Sequence, residues 1–380
     1  MLRLLTRFIS RAKQFSFGPE CKEFESEFAK WQGRKHCVFF NSGSSANLAL
    51  IQALLNTGRL KRGDHVGFSA VTWSTNVMPL IKLGLKAVPI DIELDTLNIS
   101  SQELEKVLAK YPLKALFITH VLGFCHDLEK ITAICKKKKI MLLEDTCESL
   151  GSVYKKQKLG NFGLASTFSF YVGHHLSTIE GGAICTDDEK LAVALHVVRA
   201  HGWDRNLAPH HQAKMRQDHS VDNHFYGLYT FYDLGYNLRP TEINAVLGKA
   251  QLKYADEIVK TRHENFLKLA QSIHQRTDLY YPLKYDHMDL VSNFAFPIIC
   301  RTKKIQDKLI TICSGRVEIR PIVGGNVTRH PFFKKYMNKF IPKDFRADIV
   351  HDYGLYFGNN PELSKAELNT LIKIFTSISV

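Results

Sequence analysis

Val38-Phe39-Phe40-Asn41-Ser42-Gly43-Ser44-Ser45-Ala46-Asn47-Leu48-Ala49-Leu50 passes from an apolar run, through a polar Gly/Ser turn, into a second apolar stretch. Large apolar residues bounded by turn formers read as a short buried strand, and Ala46 to Leu55 reads as a helix. A strand feeding a helix through such a turn is the unit from which α/β sheets are built. The alternation continues along the chain. His65 to Phe68, Ala87 to Ile90, Ala115 to Ile118, Ile140 to Leu143, Thr167 to Tyr171 and Ala183 to Thr186 read as further strands, with helical patterns between them. The prediction is an α/β fold around a large mixed, mostly parallel sheet.

After Pro240 one long helical pattern runs from Thr241 to about Arg276, broadly polar after Tyr254. It leads to a smaller C-terminal α+β domain, with a strand at Asn293 to Cys300 and an amphipathic helix from Lys365 to Ser379. The expected organisation is an N-terminal arm (1–20), a large domain (21–250) and a small domain (251–380). The His-rich polar segment from Asn206 to Tyr229 is expected to be an irregular active-site loop.

At 380 residues and 45% hydrophobic content the chain has ample material for a core. No apolar run approaches the ~20 residues of a membrane span. The eight cysteines (Cys21, Cys37, Cys125, Cys135, Cys147, Cys185, Cys300, Cys313) form no C-x-x-C pair. Their scatter argues against a disulfide framework and a zinc site, so no metal is expected, and it fits a reducing cytoplasm. The net charge of +14 is diffuse. Its densest run, Lys136 to Lys139, follows a helical pattern, where the helix dipole favours cations. Neither nucleic acid nor membrane is expected as a partner. The first fifteen residues are basic and free of acids. Two readings stay open for them: a transit peptide, or an arm that packs on the body or on a partner subunit.

Several residues sit where chemistry is done. Gly43-Ser44-Ser45, between a strand and a helix N-terminus, can cradle an anion with backbone N–H groups and hydroxyls. Asp145 ends an apolar strand, where ligand-facing carboxylates of α/β sheets are found. Trp73 follows another strand end and can stack on a flat ring. Each has a plain structural alternative: a helix cap, a loop-capping acid, a core or interface ring. The stretch Ser169-Phe-Tyr-Val-Gly-His174-His175-Leu-Ser-Thr-Ile-Glu180-Gly-Gly182 offers a further hydroxyl and an imidazole able to move protons near neutral pH.

Taken in order, Asn41-Ser-Gly-Ser-Ser-Ala-Asn47, Glu144-Asp145-Thr-Cys-Glu148-Ser, Phe168-Ser-Phe-Tyr171, Glu180-Gly-Gly182 and Gly235-Tyr-Asn-Leu-Arg-Pro-Thr241 resemble the DegT/DnrJ/EryC1/StrS family of sugar aminotransferases. The resemblance implies the PLP-dependent type I fold of aspartate aminotransferase, and pyridoxal 5'-phosphate (PLP) or pyridoxamine 5'-phosphate (PMP) as cofactor. It implies that Gly43, Ser44 and Ser169 hold the cofactor phosphate, and that Asn237 reaches it from the neighbouring subunit of a homodimer. It also implies that Trp73 stacks on the ring, that Asp145 binds its nitrogen, and that Glu148 lies near its hydroxyl. Where the family has its lysine, this chain has His174. An imidazole cannot form the Schiff base that a lysine amine forms with an aldehyde.

The His-His pair, Arg199-Ala-His-Gly-Trp-Asp-Arg205 and Arg320-Pro-Ile-Val-Gly-Gly-Asn326 resemble the branch of that family that removes a sugar 3-hydroxyl. One type within it acts on CDP-sugars with a [2Fe–2S] cluster, whose cysteines fall in the stretch that is cysteine-free here from Thr186 to Ile299. No iron–sulfur cluster is therefore expected. The other type, of colitose biosynthesis, implies a GDP-linked 4-keto-6-deoxy sugar as substrate and L-glutamate as amine donor; a CDP- or other NDP-linked sugar stays open. Arg205, Arg239, Arg320 and Arg329 are candidates for the diphosphate or the glutamate carboxylate. Two rival readings remain: an aminotransferase working without lysine, and a catalytically inactive regulatory homologue.

Overall fold

The computed structural model describes residues 2–341 and 343–378. The strands of the main sheet are β1 (His36–Phe40), β2 (His65–Ser69), β3 (Lys86–Ile90), β4 (Leu113–Thr119) and β5 (Met141–Asp145). A small hairpin, β6 (Val153–Tyr154) and β7 (Gln157–Lys158), precedes the last two, β8 (Ala165–Ser169) and β9 (Gly182–Thr186). The order across the main sheet is β1-β9-β8-β5-β4-β2-β3. Neighbours from β3 to β8 run parallel; β9 runs antiparallel to both β8 and β1. The sheet is thus mixed and mostly parallel.

The strands are short and almost wholly buried because helices cover both faces. On one face the helix Gly43–Asn56 buries Ala46, Leu50 and Leu54. On the other, Pro19–Gln32 sends Phe24 and Phe28 into a cluster with Phe39, Phe168 and Phe170. One direction is common to β1, β2, β4, β5 and β8, so their C-terminal ends share an edge. Since β9 returns antiparallel, its first residue, Gly182, joins that edge too. This is the edge of an open α/β sheet at which ligands bind.

The helical pattern after Pro240 is two helices, Glu242–Leu252 and Ala255–Ile273. Tyr254 (φ −107°, ψ 4°) leaves the helical path between them. The break lets each helix bury a different stripe: Ala245 and Leu252 pack with Phe24 and Phe28, whereas Phe266, Leu269 and Ile273 join a separate core that includes Leu116, Phe296 and Phe357. The segment from Asn206 to Tyr229 also departs from expectation. It holds a helix, Pro209–Asp218, started by its proline, and a short turn of helix at His224–Gly227. None of its residues lines the cavity described below. The strand expected to reach Tyr171 stops at Ser169, because Phe170 N–H bonds to Gly181 and Phe170 C=O accepts from Thr178, turning the chain away from the sheet. The C-terminal helix spans Lys365–Thr376; Ser379 lies outside the described residues.

A second sheet, β10 (Ala295–Ile299), β11 (Ile319–Arg320) and β12 (Gly354–Gly358), has the order β10-β12-β11 and is antiparallel. It is tied to the first by Arg346. Its guanidinium meets Asp91, Glu93 and Glu103, while the backbone N–H groups of Arg346 and Ala347 donate to Asp91 at 2.8 and 3.1 Å. A strap completes the connection: Val327 N–H donates to Ala70 C=O at 2.9 Å, just beyond β2. At the other end of the chain, the Glu242 carboxylate accepts from the N–H groups of Gly18, Glu20 and Cys21 at the start of helix Pro19–Gln32. No helix among the described residues is long and apolar enough to cross a membrane.

Candidate active site

A cavity of ≈ 790 Å³ lies between the strand ends of the main sheet and the small sheet. Gly43, Ser44, Trp73, Asp145, Glu148, Ser169 and His174 all line it. Sequence-distant residues meet there because each sits at or just past a strand end on the shared edge.

One end is a cradle of donors. Ser42 caps helix Gly43–Asn56 by accepting from Ser45 N–H at 3.0 Å, which leaves the Gly43 and Ser44 N–H groups without a partner inside the helix, and Ser44 is exposed. Gly43 is required by proximity: a Cβ there would lie 2.8 Å from the Cβ of Ser169. At Gly182 a Cβ would lie 2.4 Å from the backbone of Ser42 and Gly43. Glycine at both places lets three chain segments close around one small space.

The other end is acidic. Asp145 is buried, and its Oδ2 accepts from Asn76 Nδ2 at 2.6 Å and Asn47 Nδ2 at 3.2 Å. Its Oδ1 accepts from Cys147 N–H at 2.9 Å. The next carboxylate, Glu148, is half-buried and faces the cavity; Leu122 N–H donates to its Oε2 at 3.0 Å. Withdrawal from water, with Asp145 adding to it, pushes the Glu148 carboxyl up to about 8. Leu122 makes that bond from a left-handed conformation (φ 49°, ψ 38°), which costs a side-chain-bearing residue about 1–2 kcal/mol. Glu144, adjacent to Asp145, points the other way. It is buried against His120 Nε2 at 2.8 Å and accepts the N–H groups of Gly160, Phe162 and Gly163, so its role is structural.

The two histidines of the signature stretch part company. His174 faces the cavity with its ring against Phe294, centroids 5.2 Å apart, and its Nδ1 has no partner. Removal from water, reinforced by the Arg262 charge and opposed by Asp145, pushes it down to about 4, so the ring is neutral at physiological pH. His175 turns inward, its Nε2 3.3 Å from Ser292 C=O, and ties the loop to the segment around Ser292.

Of the candidate arginines only Arg320 lines the cavity, joined there by Arg316. Arg205 stacks on Trp203 and Tyr229, and Arg329 pairs with Asp348 and Asp352. Asn237 is exposed, accepts from Arg239 and is not part of this chain's own cavity wall. Sequence reading missed Asn76, the Leu122 N–H and the Phe294 ring. Asn47 lay inside a quoted motif without its partner being legible. Asn76 bonds Asp145 across 69 positions, and no local pattern announces such a contact.

The arrangement suits a flat heteroaromatic phosphate. Backbone N–H groups and hydroxyls would meet the phosphate end, an aromatic face (Trp73, 56% exposed) could cover the ring, and a carboxylate held by three hydrogen bonds would meet a ring nitrogen. His174 Nδ1 at the cavity wall has no hydrogen-bond partner, as expected of a group awaiting a ligand, and Asn47 Oδ1 and Asn76 Oδ1 share that condition. The residues fit PLP or PMP.

A family profile described as the DegT/DnrJ/EryC1/StrS aminotransferase family matches residues 4–375. The chain belongs to that family. GDP-4-keto-6-deoxy-D-mannose 3-dehydratase of Escherichia coli O55:H7 is 34% identical over 355 residues, 92% of this chain and 90% of the relative. Among solved structures, a mutant GDP-4-keto-6-deoxymannose-3-dehydratase with bound GDP-perosamine superposes with a TM-score of 0.89 at 32% identity, covering 98% of this chain and 96% of the other. Another structure of GDP-4-keto-6-deoxymannose-3-dehydratase, with a trapped PLP-glutamate geminal diamine, gives a TM-score of 0.86 at 30% identity with the same coverage. The family match and the superposition over nearly the whole chain show the PLP-dependent type I fold expected from the sequence.

Proposed function

We propose that this protein is a B6-dependent nucleotide-sugar 3-dehydratase. It removes the C3 hydroxyl of a GDP-linked 4-keto-6-deoxyhexose, and L-glutamate restores the amine form of the cofactor. The observation that carries this reading is His174: a neutral imidazole at the cavity wall, in the loop where the resemblance places the family's lysine. Support comes from the similarity to 3-dehydratases over nearly the full chain.

Bound PMP supplies an amine for the C4 ketone and a ring that takes up electrons as the C3 hydroxyl departs. The protein does the rest. Gly43, Ser44 and Ser169 hold the phosphate, and Trp73 covers the ring. Asp145, fixed by Asn47 and Asn76, keeps the ring nitrogen protonated. Glu148 carries a proton near neutral pH and can share it with the ring hydroxyl. His174 would take the proton released from the cofactor's amine-bearing carbon onto its neutral ring and return it to the leaving C3 oxygen. Because it is not a lysine, it leaves the cofactor unanchored, which permits retention of the amine form and disfavours ordinary transamination. Over a full cycle glutamate is oxidised to 2-oxoglutarate, ammonia is released and the sugar loses one oxygen. We further propose a homodimer, in which Asn237 of each chain reaches the partner's phosphate cradle, and a cytoplasmic location.

Mass spectrometry of the sugar product after incubation with PMP, L-glutamate and GDP-4-keto-6-deoxymannose tests the reading. Loss of oxygen is expected. Gain of nitrogen would mark an aminotransferase, and an unchanged sugar, at full cofactor occupancy, would mark an inactive homologue.

A further inference from the structure

Helix Pro209–Asp218 buries none of its side chains. Its place on the body therefore does not come from apolar packing, the usual source of helix docking. Besides the local bonds of Gln212 Nε2 to Arg205 C=O and Leu207 C=O, two polar ties hold it. Arg216 Nε donates to the buried Asp204 at 2.6 Å, and His211 Nε2 lies 3.3 Å from Glu189 Oε1. Glu189 opens a different helix, Glu189–Arg199, which packs on the main sheet.

At the second tie a third group joins. The His210 and His211 rings have centroids only 3.9 Å apart. One ligand atom from each of Glu189, His210 and His211 falls within 4.8 Å of the other two. Two imidazoles and a carboxylate make a mixed N/O set that suits Zn²⁺ and its neighbours in the first transition row. The side chains are exposed or half-exposed, so rotamer changes can bring the ligand atoms to coordinating distance while the fourth position stays with water. The start of helix Pro209–Asp218 carries a positive dipole end that disfavours a cation, and the Glu189 carboxylate supplies the opposing charge.

We infer that Glu189, His210 and His211 form a divalent-metal site, with Zn²⁺ as the best-suited ion, that staples helix Pro209–Asp218 to the body of the large domain. The scatter of cysteines speaks only against a thiolate site; this one is built of imidazole and carboxylate. The staple lies outside the cofactor cavity, none of whose lining residues it uses. Its role is to hold in place the segment that continues into the exposed aromatic run Phe225, Tyr226, Tyr229 and Phe231.

The test uses tag-free, cofactor-loaded, full-length protein titrated with ZnCl₂ by calorimetry, beside a His210→Ala/His211→Ala double variant and Glu189→Gln. The wild type is expected to show one class of sites that the double variant lacks and that Glu189→Gln weakens at least about tenfold. Hydrogen exchange should slow in residues 208–218 on adding Zn²⁺ in the wild type alone, with helix Leu128–Lys138 unchanged. All three substitutions are at the surface, and matching thermal unfolding curves in EDTA will verify that the variants fold. Identical Zn²⁺ isotherms for wild type and double variant, or slowed exchange in both, overturns the inference.

Discussion

Asn76 Nδ2 lies 2.6 Å from Asp145 Oδ2, the shortest of the three hydrogen bonds that hold this carboxylate. It ties the first turn of helix Ser74–Lys82 to the end of β5, so Asp145 reaches the cavity in a fixed orientation. Asn76→Ala leaves a buried carboxylate oxygen with one donor fewer, at a cost of about 1–3 kcal/mol. Urea unfolding should show that loss, and PLP affinity should fall with it. A variant with unaltered stability and unaltered PLP binding would remove Asn76 from the supporting role.

Substitution at position 174 separates binding from turnover. His174→Asn is expected to abolish sugar turnover and keep cofactor absorbance, since the proposed phosphate and ring contacts come from other residues. His174→Lys should give a PLP adduct that borohydride traps and that survives denaturation, seen as a mass increase on the intact protein. No trapped adduct would mean that residue 174 does not reach the cofactor aldehyde.

The cavity carboxyl also shapes stability against pH. Glu148 is pushed from its ordinary 4.5 up to about 8 by burial. Between those values the unfolded chain releases a proton that the folded chain keeps, so this group's contribution to stability falls as pH rises through that window. Glu148→Gln removes the slope. At about pH 8.5 the cofactor-free variant should exceed the wild type by about 1–3 kcal/mol, less than the full shift implies because the carboxyl opens onto the cavity. His174 acts in the opposite sense: pushed down to about 4, it makes stability rise with pH between there and 6.5. Denaturation midpoints at pH 5, 7 and 8.5 check both slopes.

Arg346 joins the two sheets by meeting Asp91, Glu93 and Glu103 together. Arg346→Ala leaves those carboxylates crowded without a cation. The guanidinium is about a third exposed, so the expected loss is about 1–3 kcal/mol, short of that for a fully buried pair. Thermal unfolding should show it, and KM for the sugar should rise more than kcat falls, since the cavity lies between the joined parts.

What could be read from the sequence followed from local signals. The Gly/Ser turn after β1, the strand ending in Asp145 and the His-His loop are contiguous patterns, so the α/β fold and part of the cavity wall were visible in them, but not the part built by residues such as Val317, Tyr356 and Leu371. The break at Tyr254 was not, because both halves of that pattern are good helix and only the destinations of Ala245 and Phe266, in different cores, demand a bend. Helix Pro209–Asp218 was hidden for the opposite reason: with no side chain to bury, it shows no apolar period. Asn76, Leu122 and Phe294 act through contacts between distant segments, which a linear pattern does not carry. The motif carboxylate Glu144 shows the converse. A residue inside a telling stretch belongs to the scaffold, turned toward His120 and away from the chemistry.

The loop from Phe170 to Gly181 leaves the sheet edge and returns to it at the same place. Phe170 N–H bonds to Gly181, Phe170 C=O accepts from Thr178 N–H, and Gly182 is wedged against the backbone of Ser42 and Gly43. Position 174 therefore belongs to a closed excursion whose two ends are fastened independently of what the excursion carries. Such a loop works as an exchangeable cartridge: its fastenings, through the backbone of Phe170, Thr178 and Gly181, do not involve the side chain at position 174.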